Sequence, residues 1–141
     1  MVIQRWQTVF LFIATALVVV FMLVPFANVS TDAGIAQLKP THYTGYLILN
    51  VVIAVILFLA IFLYRNIRFQ KKITLISMVM MAVSVVTGGF CLYGPQVPWK
   101  EVEIIWGGGI VLLIVALLLA LAAYRRMTAD QKLLSDSGRI R

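Results

Sequence analysis

The sequence predicts an all-α fold: an integral membrane four-helix bundle with both termini cytoplasmic. Three observations carry that expectation. Hydrophobic residues make up 62% of the 141 residues and charged residues 12%, against roughly 45–50% and about 25% in soluble domains. The mean hydropathy is +1.01 in a chain of 15.7 kDa, more apolar surface than so small a globule can take out of water. The apolar residues are gathered into four runs, 6–26, 45–64, 73–93 and 104–124, and none of these contains Asp, Glu, Lys, Arg or His. At about 1.5 Å rise per residue, such runs match a hydrocarbon core of roughly 30 Å. Alternation with period two is missing, so a transmembrane barrel with a polar lumen fits poorly and helices that satisfy their own backbone are the remaining solution.

Charge sets the orientation. Arg5 precedes the first run, Arg65, Arg68, Lys71 and Lys72 lie between the second and third, and Arg125, Arg126, Lys132, Arg139 and Arg141 follow the fourth. Only Asp130 and Asp136 oppose them, leaving +8 on that side, while Lys39 and Lys100 against Asp32, Glu101 and Glu103 leave −1 on the other; the total is the +7 of the whole chain. The positive-inside rule puts both termini and the link between the second and third runs in the cytoplasm, N-in and C-in. The basic groups then face anionic lipid headgroups. No basic domain stands apart from the membrane, so nucleic acid is not an expected partner. Trp6, Tyr64 and Tyr124 mark the cytoplasmic ends, and Tyr43, Tyr46, Tyr93, Trp99 and Trp106 the outer ends, as an interfacial aromatic belt. The chain divides into a bundle over residues 1–127 and a basic cytoplasmic tail over 128–141.

The first run, behind Arg5, has the outline of a signal peptide, but its apolar stretch is long and no clean small-x-small cleavage site follows; it reads as a retained helix. Residues 27–44 form the longest connection, bounded by Pro25 and Pro40 with Gly34 inside, which predicts a short surface helix or a hairpin. His42, the sole histidine, has no ligand-spaced partner and is read as a surface residue. Asn28-Val29-Ser30 matches a glycosylation sequon, a pattern too short to be specific. The second run carries Asn50, its most polar residue, on one face with Ala54. The link up to Lys72 predicts a tight turn between antiparallel helices.

In the third run Ser77, Met81, Ser84, Gly88 and Cys91 recur at steps of four and three, a small and mildly polar face with a small-xxx-small step at Ser84 and Gly88. Beyond it, Pro98 suits a first helical turn, and Glu101 and Glu103 suit the positive end of that helix's dipole. Two residues apart on a helix they point to different faces, which argues against a paired acid–base site. The fourth run has a second small stripe of Gly109, Leu113, Ala116, Ala120 and Ala123. Gly107-Gly108-Gly109 predicts a flexible or closely packed outer segment; with no strand expected before it, it is not read as a phosphate loop. The helix either continues past Arg126 or restarts at Thr128, where Thr128-Ala129-Asp130-Gln131 has capping-box spacing, and Gly138 is expected to end it.

Several activities lack their residues. A dithiol oxidoreductase needs paired cysteines and Cys91 is alone; a haem between helices needs axial ligands; a proton-coupled carrier needs an intramembrane carboxylate; an intramembrane metalloprotease needs a His/Glu motif. A serine nucleophile in the runs has no His or Lys base. The sequence therefore predicts no catalytic residue, no cofactor and no metal site. Asn50, Ser77, Ser84, Gly88, Gly109, Ala116 and Ala120 are the candidates for helix packing or for lining a cavity. Arg65, Arg68, Gln70, Lys71, Lys72, Asp130, Lys132, Arg139 and Arg141 are the candidates for cytoplasmic docking, to a membrane-protein partner or a second copy of the chain. The expectation is a non-catalytic accessory or scaffold protein; the alternative is a small-molecule or lipid transporter or binder with a cavity between the spans.

Three stretches resemble a family of small four-span inner-membrane proteins of unknown function from Bacteroidota. They are the opening Met1-Val2-Ile3-Gln4-Arg5 with Gln7-Thr8, the link Ile61-Phe62-Leu63-Tyr64-Arg65-Asn66 through Gln70, and the tail Asp130-Gln131-Lys132-Leu133 with Arg139-Ile140-Arg141. Val2 is an extra residue by that pattern, and Gly138 stands where an acidic residue is expected. The resemblance implies a four-helix bundle in a bacterial inner membrane and implies no activity.

Overall fold

The structure, a computed structural model, describes residues 2–31, 34–92 and 103–139, with side chains at all of these except 2–5, 31, 92, 103–106 and 139. Among them the elements run α1 (Val2–Leu23), β1 (Ala27–Thr31), β2 (Gly34–Leu38), a 3-10 turn (Pro40–His42), α2 (Thr44–Phe62), a second 3-10 turn (Leu63–Arg65), α3 (Ile67–Leu92), β3 (Glu103–Trp106) and α4 (Gly109–Arg139). The fold is mostly helical, and among the described residues four helices are long and apolar enough to cross a membrane. The small sheet is an addition to the all-α expectation.

The helices close a ring in chain order: α1 packs on α4 and α2, and α3 on α2 and α4. Inward positions explain the closure. They are Gln7, Leu11, Ala14, Val18 and Phe21 on α1, Gln70, Thr74, Ser77, Met81 and Ser84 on α3, and Leu113, Ala116, Ala120, Ala123 and Met127 on α4, all buried. Each series alternates steps of four and three, an average of 3.5 residues, which keeps one seam of each helix facing its neighbours. Alanine, serine and glycine on those seams let the backbones approach closely. The outward faces stay apolar: Phe12 is 61% and Phe90 71% exposed. Water would make that arrangement costly, at about 25 cal/mol per Å² of apolar surface, and lipid removes the penalty.

Pro25, which lacks an N–H, lies just beyond α1 and turns the chain into β1. The predicted hairpin is present: β1 pairs antiparallel with β2 from Ala27↔Leu38 to Thr31↔Gly34. Gly34 has φ +121°, a conformation that glycine adopts without strain. On its other edge β1 pairs with β3 from Ala27↔Trp106 to Ser30↔Glu103, so β1 is the central strand. Two expectations are corrected here. Residues 104–106 form a strand, and the fourth helix starts at Gly109; Glu103 therefore sits in a strand rather than at a helix N-terminus. Pro98 and Glu101 lie outside the described residues. The glycine run does follow a strand, but two of its three amides are already engaged. Gly107 N–H donates to Phe26 O at 3.1 Å and Gly109 N–H to Pro25 O at 3.3 Å.

At the other end α2 passes through Leu63–Arg65 directly into α3. Phe69 and Gln70 donate their N–H groups to Asn66 O at 3.1 and 2.9 Å, so Arg68, Lys71 and Lys72 belong to the first turns of α3 rather than to a loop. α4 runs unbroken past Thr128, and Gly138 lies within its last turn instead of ending it.

Candidate functional site

Two arrangements of polar residues stand out, one inside the bundle and one at the end where α2 meets α3. The inner one follows α3. Gln70, Thr74, Ser77 and Ser84 are buried, with Asn50 opposite on α2. Ser84 Oγ donates to Asn50 Oδ1 at 2.9 Å, and Asn50 Nδ2 donates to Tyr46 O at 2.8 Å. Tyr46 is itself 3% exposed. Its hydroxyl donates to Ser84 O at 3.0 Å and its ring meets Phe21 and Phe26 edge-on; it is a core residue and not part of an interfacial belt. Thr74 and Ser77 donate back to Gln70 O and Thr74 O, each at 2.9 Å. Amides and hydroxyls along the seam are thus satisfied, by backbone carbonyls and, at Ser84 and Asn50, by one another. The candidates Gly88, Gly109, Ala116 and Ala120 are buried on the same inward faces.

Gln70 had been a docking candidate, but it is buried and donates Nε2 to Ala60 O at 3.0 Å. It ties the start of α3 to the end of α2 and offers nothing to a partner. Asp130 is also turned to internal use, accepting a hydrogen bond from Gln7 Nε2 across α1 and α4. Sequence reasoning missed Gln7 and Thr74. The signal was available: Gln7 is in step with Leu11 and Ala14, and Gln70 and Thr74 extend the Ser77 stripe at the same four-three spacing.

The outer arrangement is a groove between the α2–α3 corner and the last turns of α4. A cavity of about 570 Å³ has Arg65, Asn66 and Arg68 on one wall and Gln131, Leu134 and Ser135 on the other. A second of about 320 Å³ adjoins it, lined by Arg68, Lys71, Lys72, Leu75, Tyr124 and Gln131. The two share Arg68 and Gln131. Lys71 Nζ reaches Gln131 Oε1 at 3.5 Å and stands 5.2 Å above the Tyr124 ring, so the ammonium is fixed at the seam by two neutral groups. Four cations line the pair of cavities and no carboxylate does. Lys132 is exposed on α4 beside the groove; the Arg139 side chain and Arg141 lie outside the described residues. At the opposite end, partial burial pushes the Tyr43 hydroxyl above its ordinary range, with the negative charge of an ionised Cys91 as a smaller cause. His42 is exposed there, in its 3-10 turn. Asn28 lies on the central strand with its carboxamide oxygen buried, a poor position for a glycan.

Fold and site together define a class: a helical chain whose four helices have the length and composition of membrane spans, with a sheet at one end of the bundle and a cationic groove at the other. Within that class the family is shown by sequence. The profile of the family described as "Domain of unknown function (DUF4293)" matches residues 3–140, and the chain belongs to it. No curated protein and no solved structure is significantly similar to the chain.

Proposed function

We propose that this protein is a non-catalytic accessory or scaffold subunit of a bacterial inner membrane, with its basic end in the cytoplasm and its sheet on the outer face. One contrast carries the reading. The buried polar side chains of the helix seams are amides and hydroxyls whose hydrogen bonds go to backbone carbonyls, to each other at Ser84 and Asn50, or to Asp130 from Gln7, whereas the cations at the basic end are turned outward. Among the described residues no group of three or more His, Cys, Asp or Glu is placed to hold a metal ion, while the basic end offers a cationic surface for recognition. Arg65, Arg68, Lys72 and Lys132 are its exposed members, and a membrane-protein partner or a second copy of the chain is what they would meet.

The test is purification of the tagged full chain from its own membranes in mild detergent, followed by mass spectrometry. A stoichiometric partner, lost in Arg65→Glu/Lys132→Glu at an unchanged melting midpoint, supports the reading; a solitary chain carrying a metabolite refutes it. Charge reversal is cleaner than deleting 128–141, because that deletion also removes Asp130 and Gln131, which hold α4 to α1 and α3. The second reading, a transporter or binder, is favoured by one observation: the inward face of α3 is polar from Gln70 to Ser84, except at Met81. Ligand-dependent thermal stabilisation that disappears in Asn50→Leu would support it.

A further inference from the structure

We infer that the groove between the α2–α3 corner and α4 is a built site for one anionic phospholipid, its phosphate held by Arg65 and Arg68 and an acyl chain leaving over Leu75. The inference rests on the reading of the basic end as lying at the membrane–water boundary and deepens it by naming what part of that surface binds. Three observations carry it.

The first is charge without compensation. Arg65 and Arg68 line the larger cavity and Arg68, Lys71 and Lys72 the smaller, the two sharing Arg68 and Gln131. Neither Asp130 nor Asp136 of α4 lines the cavities, and Asp130 accepts from Gln7. Cations held close together repel one another, and an anion among them relieves that repulsion; guanidinium groups match a phosphate with paired N–H donors. The second is the gradient of the walls. Polar groups, Asn66, Gln131 and Ser135, border the larger cavity, while Leu75 and the Tyr124 ring border the smaller. Below Leu75 the surface of α3 continues apolar and exposed through Ile76 and Val79. A free phosphate would use the first part of this path only; a phospholipid uses all of it. The third is depth. Trp6, Phe62, Tyr64 and Phe69 are exposed at the same end, the level at which amphipathic rings meet headgroups. Basic pockets between spans are general sites for phosphate-bearing headgroups.

The experiment is native mass spectrometry of the full chain in mild detergent with added cardiolipin, with phosphatidylethanolamine as the zwitterionic comparison and inorganic pyrophosphate as the soluble competitor. The expected result is a one-to-one cardiolipin adduct that survives pyrophosphate and exceeds the phosphatidylethanolamine adduct. At roughly fivefold per cation, Arg65→Gln/Arg68→Gln should weaken it about 25-fold. Arg125→Gln/Arg126→Gln, which removes two exposed cations of α4 outside the groove, should leave it within about twofold. Equal loss in both variants means diffuse attraction and overturns the site. Displacement by pyrophosphate assigns the groove to soluble phosphates and overturns it as well, as does equal retention of the two lipids. Circular dichroism melts check that each variant is folded. Alkaline extraction of membranes separates the two levels of the argument. A chain released by carbonate fails the membrane reading itself, whereas a chain that is retained but shows no lipid preference fails only the groove.

Discussion

Replacing Gly107 with alanine should do more damage than its exposed neighbourhood in the sequence would suggest. A Cβ there would lie 2.5 Å from Pro25 O, 2.8 Å from Phe26 C and 2.9 Å from Ala27 N. All three are backbone atoms, so no rotamer change relieves the contact; α1's exit or the entry of α4 has to move. Overpacking of this kind costs about 1–3 kcal/mol. The shift would also strain the Gly107 to Phe26 and Gly109 to Pro25 hydrogen bonds, each worth about 0.5–1.5 kcal/mol. The expected total is about 2–4 kcal/mol. Gly108 provides the control, because a Cβ at that position meets nothing within 4 Å and Gly108→Ala should stay within about 0.5 kcal/mol of the parent. Equilibrium denaturation in mixed detergent, read by circular dichroism, measures both. Equal midpoints for the two variants would show that the strand-to-helix corner is not packed against the end of α1.

Further outcomes follow from the polar seam and the bundle ends. Asn50→Leu and Ser84→Ala should each cost roughly 0.6–2 kcal/mol, and the double variant should cost less than the sum by about 0.6 kcal/mol, a coupling that a denaturation cycle reads. Gly88→Ala places a Cβ 2.8 Å from the Tyr46 hydroxyl, so it should cost about 1 kcal/mol on the parent and close to nothing on a Tyr46→Phe background. Asp130→Ala should raise amide hydrogen exchange through residues 128–138, while Asp130→Asn, which still accepts from Gln7, should leave protection near the parent level.

Much of the fold is legible in the sequence because helix geometry imposes a simple period on which residues face inward. Leu113, Ala116, Ala120 and Ala123 show their face by spacing alone, and so do Ser77, Met81 and Ser84. Helix ends are harder to read. Hydropathy marks where lipid stops, not where the helix stops, so Arg68–Lys72 and the residues after Arg126 look like link and tail although their backbone hydrogen bonding continues. Residues 104–106 fail for a different reason. Ile-Ile-Trp suits a strand as well as a helix, and what decides is pairing with β1, more than seventy positions earlier in the chain. The groove was legible as charge but not as shape. Arg65 and Arg68 are plainly basic, while the opposite wall, Gln131 and Ser135, comes from a segment whose helical continuation the sequence leaves open. Gln70 shows the converse: a polar residue among cations reads as surface until the four-three register of α3 is followed back through Thr74.

The proposed orientation, with the cationic groove toward the cytoplasm and the sheet outside, is open to a direct test. Cysteine labelling in spheroplasts tests it most directly, on a Cys91→Ser background with Ile35→Cys in β2 and Lys132→Cys beside the groove as the two reporters. Both positions are exposed. A membrane-impermeant maleimide should label position 35 in intact spheroplasts and position 132 only after permeabilisation. Labelling of position 132 before permeabilisation, or of neither position until then, would contradict the orientation on which the proposed function and the lipid site both stand.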